Sequence, residues 1–263
     1  MPITAVTGAA SGIGAAVCAA LEAADHQVIR IDLHGADIQA DLSTPAGRAD
    51  AIDGVLARCG GKLDRLVLCA GVGPQVEPAA RIVAVNYLGA VALLDGLLPA
   101  LAKGRDPAAV VVSSVASTQL TWERNPLRGL LEASPDGSQY DEAALAAVLA
   151  AAGPQCGQLA YAGSKNAVTV AVRQRVRQWG AAGVRLNSVA PGAVETPLLQ
   201  KGLDDPRYGQ AIRDFVAPIP RRAQPQEIAA MIAFLLGTQA GFVHGAQFVV
   251  DGGVDAMMRP TSF

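Results

Sequence analysis

The chain has 263 residues, of which 51% are hydrophobic and 17% are charged. This composition supplies a large apolar core and too few charges for a disordered chain, and the length suits one α/β domain. Lys and Arg number 21 against 23 acidic residues, for a net charge of −2. Because this balance creates no broad positive field, we expect neither nucleic acid nor a membrane as a partner.

Short β-branched or apolar runs alternate with longer Ala- and Leu-rich stretches along the chain. The runs predict β-strands at residues 3–6, 27–31, 66–68, 109–112, 183–189 and 247–250. Such alternation is typical of a doubly wound parallel sheet, whose buried strands need helices on both faces. We therefore predict a single-domain Rossmann-type α/β fold over residues 1–263.

A glycine-rich turn, Gly8-Ala9-Ala10-Ser11-Gly12-Ile13-Gly14, follows the first predicted strand. Glycines let backbone amides approach a phosphate closely, and the helix predicted at residues 15–22 directs its positive end to the same place. A G-x-x-x-G-x-G string arises easily by chance in a glycine-rich chain, so its place between a strand and a helix carries the argument. We expect a dinucleotide to bind here, with contacts from Gly8, Ser11, Gly12, Ile13 and Gly14.

Asp32 closes the second predicted strand, where an acidic side chain can accept hydrogen bonds from an adenosine ribose. Its carboxylate would repel a 2′-phosphate, and the nearby Ser11, Leu33 and His34 supply no cation to neutralise one. The sequence therefore favours NAD over NADP as the cofactor. The alternative is that Asp32 is an ordinary turn residue.

Two segments depart from the alternating pattern. Residues 118–158 form an insertion, within which the Ala-rich run 141–152 predicts a helix. This insertion is either a surface excursion packed on the sheet edge or a wall of a pocket. Residues 194–222 are apolar and punctuated by prolines, which suits a flap over an apolar ligand or, alternatively, ordinary helix packing.

Tyr161 and Lys165 are spaced to project from one face of a helix. A free phenol has a pKa near ~10, and a neighbouring ammonium lowers it toward the working range of a proton-transfer group. Many surface helices carry this pair for no chemical reason, so its meaning depends on the rest of the chain.

An ordered set of residues along the whole chain resembles the short-chain dehydrogenase/reductase family. The set comprises the glycine turn, Asp32, Cys69-Ala70-Gly71, Asn86, Ser113-Ser114, Tyr161-x-x-x-Lys165, Asn187 and Pro191-Gly192. Cys69 departs from the pattern, since the family more often has Asn there. Further segments, among them Glu195-Thr196-Pro197-Leu198-Leu199-Gln200 and Asp205-Pro206-Arg207-Tyr208-Gly209, resemble bacterial members of the 3α-hydroxysteroid dehydrogenase/carbonyl reductase type.

The resemblance implies a role for each matched residue. Tyr161 would be the general acid and base, Lys165 would lower its pKa and hold the nicotinamide ribose, and Ser114 would bind the substrate oxygen. Ser113 is the competing choice, but strand alternation lets only one of the two serines face the site. Asn86 would support a water-linked proton path, or it is a polar helix residue satisfied by backbone.

Further cofactor contacts follow from the same resemblance. Thr196 would contact the nicotinamide carboxamide or simply cap a helix, and Asp41 would accept from the adenine amine or stabilise a turn. Leu198 and Leu199 would contact the substrate. The remaining implied cofactor residues are Leu33, Leu42, Ala70, Gly71, Pro191, Gly192 and Val194.

The resemblance implies an NAD(H)-dependent oxidoreductase that interconverts hydroxyl and carbonyl groups, with a steroid as the leading substrate. The alternatives are a short-chain alcohol dehydrogenase for another bulky or cyclic secondary alcohol and a catalytically silent nucleotide-sensing protein. Family members are usually oligomers, so we expect a homodimer or homotetramer. The insertion directly precedes the Tyr161 helix, so we expect the interface to lie elsewhere.

Cysteine use and the N-terminus bear on location. The 4 cysteines lack C-x-x-C spacing or neighbouring histidines, so we expect reduced thiols and no metal site. Residues 1–7 lack the basic start and apolar segment of a signal peptide, and we expect no apolar run of membrane-spanning length. These features predict a cytoplasmic protein.

Overall fold

A computed structural model describes residues 1–133 and 141–262. Its described residues form a seven-stranded parallel sheet in the order β3-β2-β1-β4-β5-β6-β7. The strands are β1 (Ile3–Thr7), β2 (Gln27–Asp32), β3 (Ile38–Gln39), β4 (Arg65–Leu68), β5 (Ala108–Val112), β6 (Arg185–Pro191) and β7 (Gln247–Val250). Among the described strands, β3 alone was not predicted from the sequence, because two residues are too few to show a periodic pattern. The predicted doubly wound sheet is otherwise confirmed.

Helices cover both faces of this sheet. They are α1 (Gly12–Ala23), α2 (Pro45–Arg58), α3 (Ala79–Val83), α4 (Ala90–Leu101), α5 (Arg128–Glu132), α6 (Glu142–Ala151), α7 (Cys156–Ala181), α8 (Pro197–Asp204), α9 (Gly209–Asp214), α10 (Pro225–Leu236) and α11 (Val254–Met258). A π-helical turn (Ala84–Gly89) joins α3 to α4. α1 and α10 pack on one face, whereas α2, α4 and α7 pack on the other.

The central strand β5 shows why the sequence forms this three-layer arrangement. All five of its residues are buried. Ala108, Val110 and Val112 face the core under α1 and α10, whereas Ala109 and Val111 face the core under α4 and α7. Successive side chains of a strand point to opposite faces, so an uninterrupted apolar run needs cover on both sides.

The helix from Ala79 to Leu101 contradicts the expectation that no apolar run reaches membrane-spanning length. Among the described residues it is 23 residues long and apolar enough, by length and composition, to cross a membrane. However, 67% of its most apolar window is buried inside the protein. Its apolar composition is therefore explained by packing against the sheet, α2 and α7.

The described part of the insertion packs against the first half of α7. Leu127, Leu145 and Leu149 are buried in the same core as α7. The Asn125 amide donates to the Gly163 carbonyl oxygen at 2.9 Å. A methyl group on Gly163 would lie 2.8 Å from Leu127 Cδ1, so the contact is close. Residues 134–140 of the insertion lie outside the described residues.

Candidate active site

A cleft of about 450 Å³ opens at the carboxyl ends of β1, β4, β5 and β6. The sheet reverses its strand order between β1 and β4, which is where open α/β sheets bind ligands. Most of the expected site residues line this cleft: Gly8, Ser11, Gly12, Ile13, Gly14, Asp32, Leu33, Asp41, Leu42, Ala70, Gly71, Ser114, Tyr161, Lys165, Pro191, Gly192, Val194, Thr196, Leu198 and Leu199. Asn86 is the expected residue that does not.

Two glycines of the turn, Gly8 and Gly14, have no room for a side chain. Gly8 has φ +66°, and a methyl group on it would lie 2.8 Å from the Ala70 backbone nitrogen. A methyl group on Gly14 would lie 2.0 Å from the Gly8 carbonyl oxygen. The turn therefore brings bare backbone to the start of α1, where helix amides have no intrahelical partner. This cradle fits a pyrophosphate.

Asp32 ends β2 at the rim of the cleft. Its Oδ2 accepts from the Ala10 backbone nitrogen at 2.9 Å, and its Oδ1 accepts from the Leu33 nitrogen at 2.7 Å. These bonds attach the carboxylate to the glycine turn, and each oxygen keeps acceptor capacity for a ribose hydroxyl. At this position Asp32 stabilises the turn and can also accept a hydrogen bond from a ribose hydroxyl.

Asp41 is held at the opposite wall of the same end. Its Oδ1 accepts from the Ser43 hydroxyl at 2.6 Å and from the Ser43 backbone nitrogen at 2.9 Å. Its Oδ2 pairs with Arg81 at 3.1 Å. The Ser43 hydroxyl, opposed by partial burial, holds the pKa of the Asp41 carboxyl below its usual value. Asp41 therefore stabilises a turn, which is one of the two roles considered from the sequence. Arg81, which also lines the cleft, was not predicted from the sequence.

Ser114 and Tyr161 meet at the other end of the cleft. Ser114 follows β5, where its Oγ accepts from the Ala116 nitrogen at 3.1 Å and its hydroxyl hydrogen-bonds the Tyr161 phenol. The Ser113 side chain is instead bonded to α7, because its Oγ donates to the Lys165 carbonyl oxygen at 2.9 Å and forms a hydrogen bond with the Thr169 hydroxyl at 2.8 Å. Strand alternation thus places Ser114, rather than Ser113, beside the phenol.

The buried cation of this end is Lys165. Its Nζ donates to the Val112 carbonyl oxygen at 2.9 Å, and the residue is 5% exposed. Burial lowers the pKa of Lys165 to about 8. Burial raises the pKa of Tyr161, and the hydrogen bond with Ser114 opposes that shift only partly. The raised pKa is opposite to the sequence expectation for Tyr161, because desolvation of the half-buried phenol dominates.

Asn86 lies in the π-helical turn behind the cleft. Its Oδ1 accepts from the Val72 nitrogen at 2.8 Å, and its Nδ2 donates to the Val72 carbonyl oxygen at 3.1 Å. The side chain is therefore satisfied largely by backbone, as the second of the two sequence interpretations has it. These bonds hold the chain that leaves β4. A methyl group on Gly71 would lie 3.2 Å from both Asn86 Oδ1 and Lys165 Nζ.

The segment 194–222 contributes to the cleft only through its first part. Thr196 caps α8, where its Oγ1 accepts from the Leu199 nitrogen at 3.2 Å. Thr196 also lies against the glycine turn, since a methyl group on Gly12 would be 3.1 Å from Thr196 Cγ2. Phe215, Ile219 and Pro220 instead line a second cavity of about 280 Å³.

Several cleft residues carried no recognisable signal in the sequence. They are apolar or small side chains at strand ends and in the segment after β4, and they include Ile31, Ala40, Val72, Val76, Val85 and Val112. Only the position of each strand end could have indicated them. Asn187, part of the family pattern, bonds to the Val243 carbonyl oxygen at 2.9 Å and the Ala246 nitrogen at 3.1 Å, and so joins β6 to the segment before β7.

Comparison with known proteins agrees with this geometry. Residues 2–125 match a family model described as short chain dehydrogenase, and residues 143–255 match one described as Enoyl-(Acyl carrier protein) reductase. Over 263 residues the chain is 57% identical to the 3-alpha-hydroxysteroid dehydrogenase/carbonyl reductase of Comamonas testosteroni, with 100% of each chain covered. The chain belongs to the short-chain dehydrogenase/reductase family.

Other members of the short-chain dehydrogenase/reductase family extend the comparison. The crystal structure of the 3-alpha-hydroxysteroid dehydrogenase from Pseudomonas sp. B-0831 complexed with NADH has a TM-score of 0.86 and 50% identity, and covers 99% of this chain and 100% of that one. A coniferyl-alcohol dehydrogenase of Pseudomonas sp. (strain HR199 / DSM 7063) is 32% identical over 95% of this chain and 94% of its own. The family and the fold predicted from the sequence are confirmed.

Proposed function

We propose that the protein is an NAD(H)-dependent oxidoreductase that interconverts a 3α-hydroxysteroid and its ketone. The observation that carries this proposal is the meeting of Ser114 and Tyr161 with the buried Lys165, in one cleft with the glycine cradle. The 57% identity to the Comamonas testosteroni 3-alpha-hydroxysteroid dehydrogenase/carbonyl reductase supports the substrate class.

The cofactor end of the cleft fits NAD. The glycine turn and the start of α1 would hold the pyrophosphate, and Asp32 would hold the adenosine ribose. Lys165 would hold the nicotinamide ribose, as in the family pattern. When bound, NAD supplies the hydride acceptor for an alcohol, and NADH supplies the hydride for a ketone.

The proton chemistry belongs to the side chains of the chain itself. Ser114 would donate a hydrogen bond to the substrate oxygen, which stabilises the charge that grows there during carbonyl reduction. Tyr161 would give its proton to that oxygen, or take it back when an alcohol is oxidised. Because the pKa of Tyr161 is raised, its phenol is protonated at neutral pH and ready to act as an acid. Oxidation needs the phenolate and should therefore be faster at alkaline pH.

Apolar side chains from two segments line the same cleft as Tyr161. Val72 and Val76 come from the segment after β4, and Leu198 and Leu199 come from α8. Such walls suit the hydrocarbon rings of a steroid, with one polar group directed to Ser114 and Tyr161. They would also accept another bulky or cyclic secondary alcohol, which is the second candidate. The 32% identity to a coniferyl-alcohol dehydrogenase supports this second candidate, because that relative is named for an alcohol that is not a steroid.

A substrate panel tests the proposal. Purified protein with NAD should oxidise androsterone, followed by NADH absorbance, with a kcat/KM at least about tenfold above that for cyclohexanol. The Tyr161→Phe variant should still bind NADH, but its kcat should fall about 10³-fold because the proton donor is lost. A higher kcat/KM for small alcohols would favour the second candidate. NADH binding without turnover of any alcohol would favour a nucleotide-sensing protein and refute the enzyme.

We also propose a homodimer or homotetramer whose interface lies outside α7. The described insertion residues cover the first half of that helix, as the bond from Asn125 to Gly163 illustrates. In the second half, Gln174 and Gln178 are exposed. Their substitution by Glu should leave the oligomer mass unchanged in light scattering, and dissociation would contradict the proposal. The cytoplasmic location predicted from the sequence stays a prediction.

A further inference from the structure

Two segments bound the substrate end of the cleft without being neighbours in sequence. One is the segment after β4, from which Val72 and Val76 line the cleft. The other is α8, from which Leu198 and Leu199 line it. The turn that follows α8 contains Asp205, Arg207 and Tyr208. A bond between this turn and the segment after β4 therefore links the two elements that carry the apolar walls.

The Arg207 side chain bonds directly across this gap. Its guanidinium forms an ion pair with Glu77 and donates to the Gln75 carbonyl oxygen at 3.1 Å. On its own side of the cleft it binds Asp205 through Nε at 3.1 Å and a terminal nitrogen at 2.9 Å. Gln75 and Glu77 flank the cleft-lining Val76, and Asp205 caps the far end of α8, whose first turn carries the cleft-lining Leu198 and Leu199.

The geometry differs from that of an isolated surface ion pair. The Asp205 side chain is 13% exposed, and it is fixed by a further bond from the Arg207 backbone nitrogen at 2.8 Å. The Arg207 guanidinium also lies over the Tyr208 ring, 5.3 Å from its centroid. A planar guanidinium with several donors can serve all these acceptors at once, which an ammonium cannot. The hydrogen bonds from Arg207 hold the pKa of the Asp205 carboxyl below its usual value.

The same junction extends to the start of α7. A methyl group on Gly157 would lie 2.1 Å from the Pro74 carbonyl oxygen and 2.7 Å from the Tyr208 hydroxyl. The segment after β4, the turn after α8 and the helix that carries Tyr161 therefore converge at one point. A displacement of Arg207 would be transmitted to both walls of the cleft.

We propose that Arg207 is a positioning residue that clasps α8 to residues 75–77 across the substrate end of the cleft. The clasp holds the two apolar walls at the separation that a bulky substrate needs. This inference rests on the proposed function, because it requires the substrate to lie between those walls. It assigns no chemical step to Arg207.

The test compares Arg207→Ala, Arg207→Lys and Glu77→Gln with wild type. Arg207→Ala should raise the KM for androsterone about three- to tenfold, with kcat and the KM for cyclohexanol changed less than about twofold, because a small alcohol does not reach both walls. The KM of Arg207→Lys for androsterone should lie between the values for wild type and Arg207→Ala. Glu77→Gln should raise the KM by a smaller factor, and its effect should not add to that of Arg207→Ala, because both break one clasp.

A matched control is available in the insertion. The Arg128 side chain is 43% exposed, close to 44% for Arg207, and it pairs with Glu132 away from the cleft. Arg128→Ala should change neither kcat nor the KM for androsterone or cyclohexanol. The dissociation constant of NADH, measured by fluorescence, should stay unchanged in all variants, because the clasp lies at the substrate end.

Hydrogen exchange makes the clasp testable apart from activity. In Arg207→Ala, amide exchange should accelerate together in residues 72–78 and 197–208, but not in Arg128→Ala. Unchanged exchange in either segment, or an equal rise of KM for androsterone and cyclohexanol, would overturn the clasp. Wild-type protein that turns over no alcohol would instead refute the proposed function, and the exchange result would still decide whether Arg207 joins the two segments.

Discussion

The two ends of the cleft are built by different means. At the cofactor end, the site is formed mainly by backbone: Gly8 and Gly14 leave no space for a Cβ, and Asp32 accepts hydrogen bonds from the backbone amides of Ala10 and Leu33. At the substrate end, the site is formed mainly by side chains, namely those of Arg207, Leu198 and the Ser114–Tyr161 pair. A backbone-built site tolerates almost no substitution, whereas a site built from side chains can be retuned one residue at a time.

The largest expected effect is at the backbone-built end. In Gly14→Ala the new methyl group would lie 2.0 Å from the Gly8 carbonyl oxygen, so the turn must shift. We expect a loss of about 1–3 kcal/mol in the free energy of unfolding and at least about tenfold weaker NADH binding, measured by chemical denaturation and fluorescence titration. Gly129→Ala is the control, since nothing lies within 4 Å of its Cβ position. Equal losses of stability and NADH affinity in the two variants would contradict the contrast between the two ends of the cleft.

An intermediate effect is expected at Asp32, where a side chain supplements the backbone. Asp32→Ala should weaken NAD binding about tenfold and weaken NADP binding less, because the carboxylate that repels a 2′-phosphate is removed together with the ribose acceptor. Titration with both nucleotides measures the two losses. Equal losses would show that Asp32 acts only as an acceptor for the turn amides of Ala10 and Leu33.

The smallest effect concerns stability at the side-chain-built end. The pKa of Lys165 is lowered from 10.5 to about 8 by burial, so its ammonium is costly in the folded state. Lys165→Met should therefore raise the free energy of unfolding at pH 7 by about 1 kcal/mol, even though turnover is lost. Thermal or urea denaturation measures the difference.

The pH dependence of that difference follows from linkage. Between about 8 and 10.5, the unfolded wild-type chain keeps a proton on Lys165 that the folded chain has released. The stability of wild type should therefore rise with pH across this window relative to Lys165→Met, and the advantage of the variant should shrink. Below this window the advantage should be constant. An advantage that grows with pH would show that the folded state favours the ammonium.

Much of the cofactor end could be predicted from the chain alone, because local signals define it. The glycine turn and Asp32 lie at fixed places relative to β1, α1 and β2, and each element is indicated by its own apolar pattern. The spacing of Tyr161 and Lys165 likewise places both on α7. Strand alternation limited the site to one of Ser113 and Ser114, and the resemblance to the family selected Ser114, the serine that lies beside the phenol.

What lay beyond prediction depends on contacts between distant segments. The pairing of Arg81 with Asp41 spans forty positions, and the bond of Arg207 to the Gln75 carbonyl spans far more. β3 exists only because β2 offers a partner edge. The direction of the Tyr161 pKa shift was mispredicted for the same reason, since it follows from what surrounds the phenol rather than from the residue four positions along.

The amino-acid sequence by itself determined the layered sheet, the glycine cradle and the helix that carries Tyr161 and Lys165, because periodicity and local backbone freedom act within a few residues. Only the tertiary structure decided how the ionisable groups are tuned and how the substrate walls are held. Desolvation depends on every chain segment that excludes water from a group, and a clasp between two walls needs both walls in place.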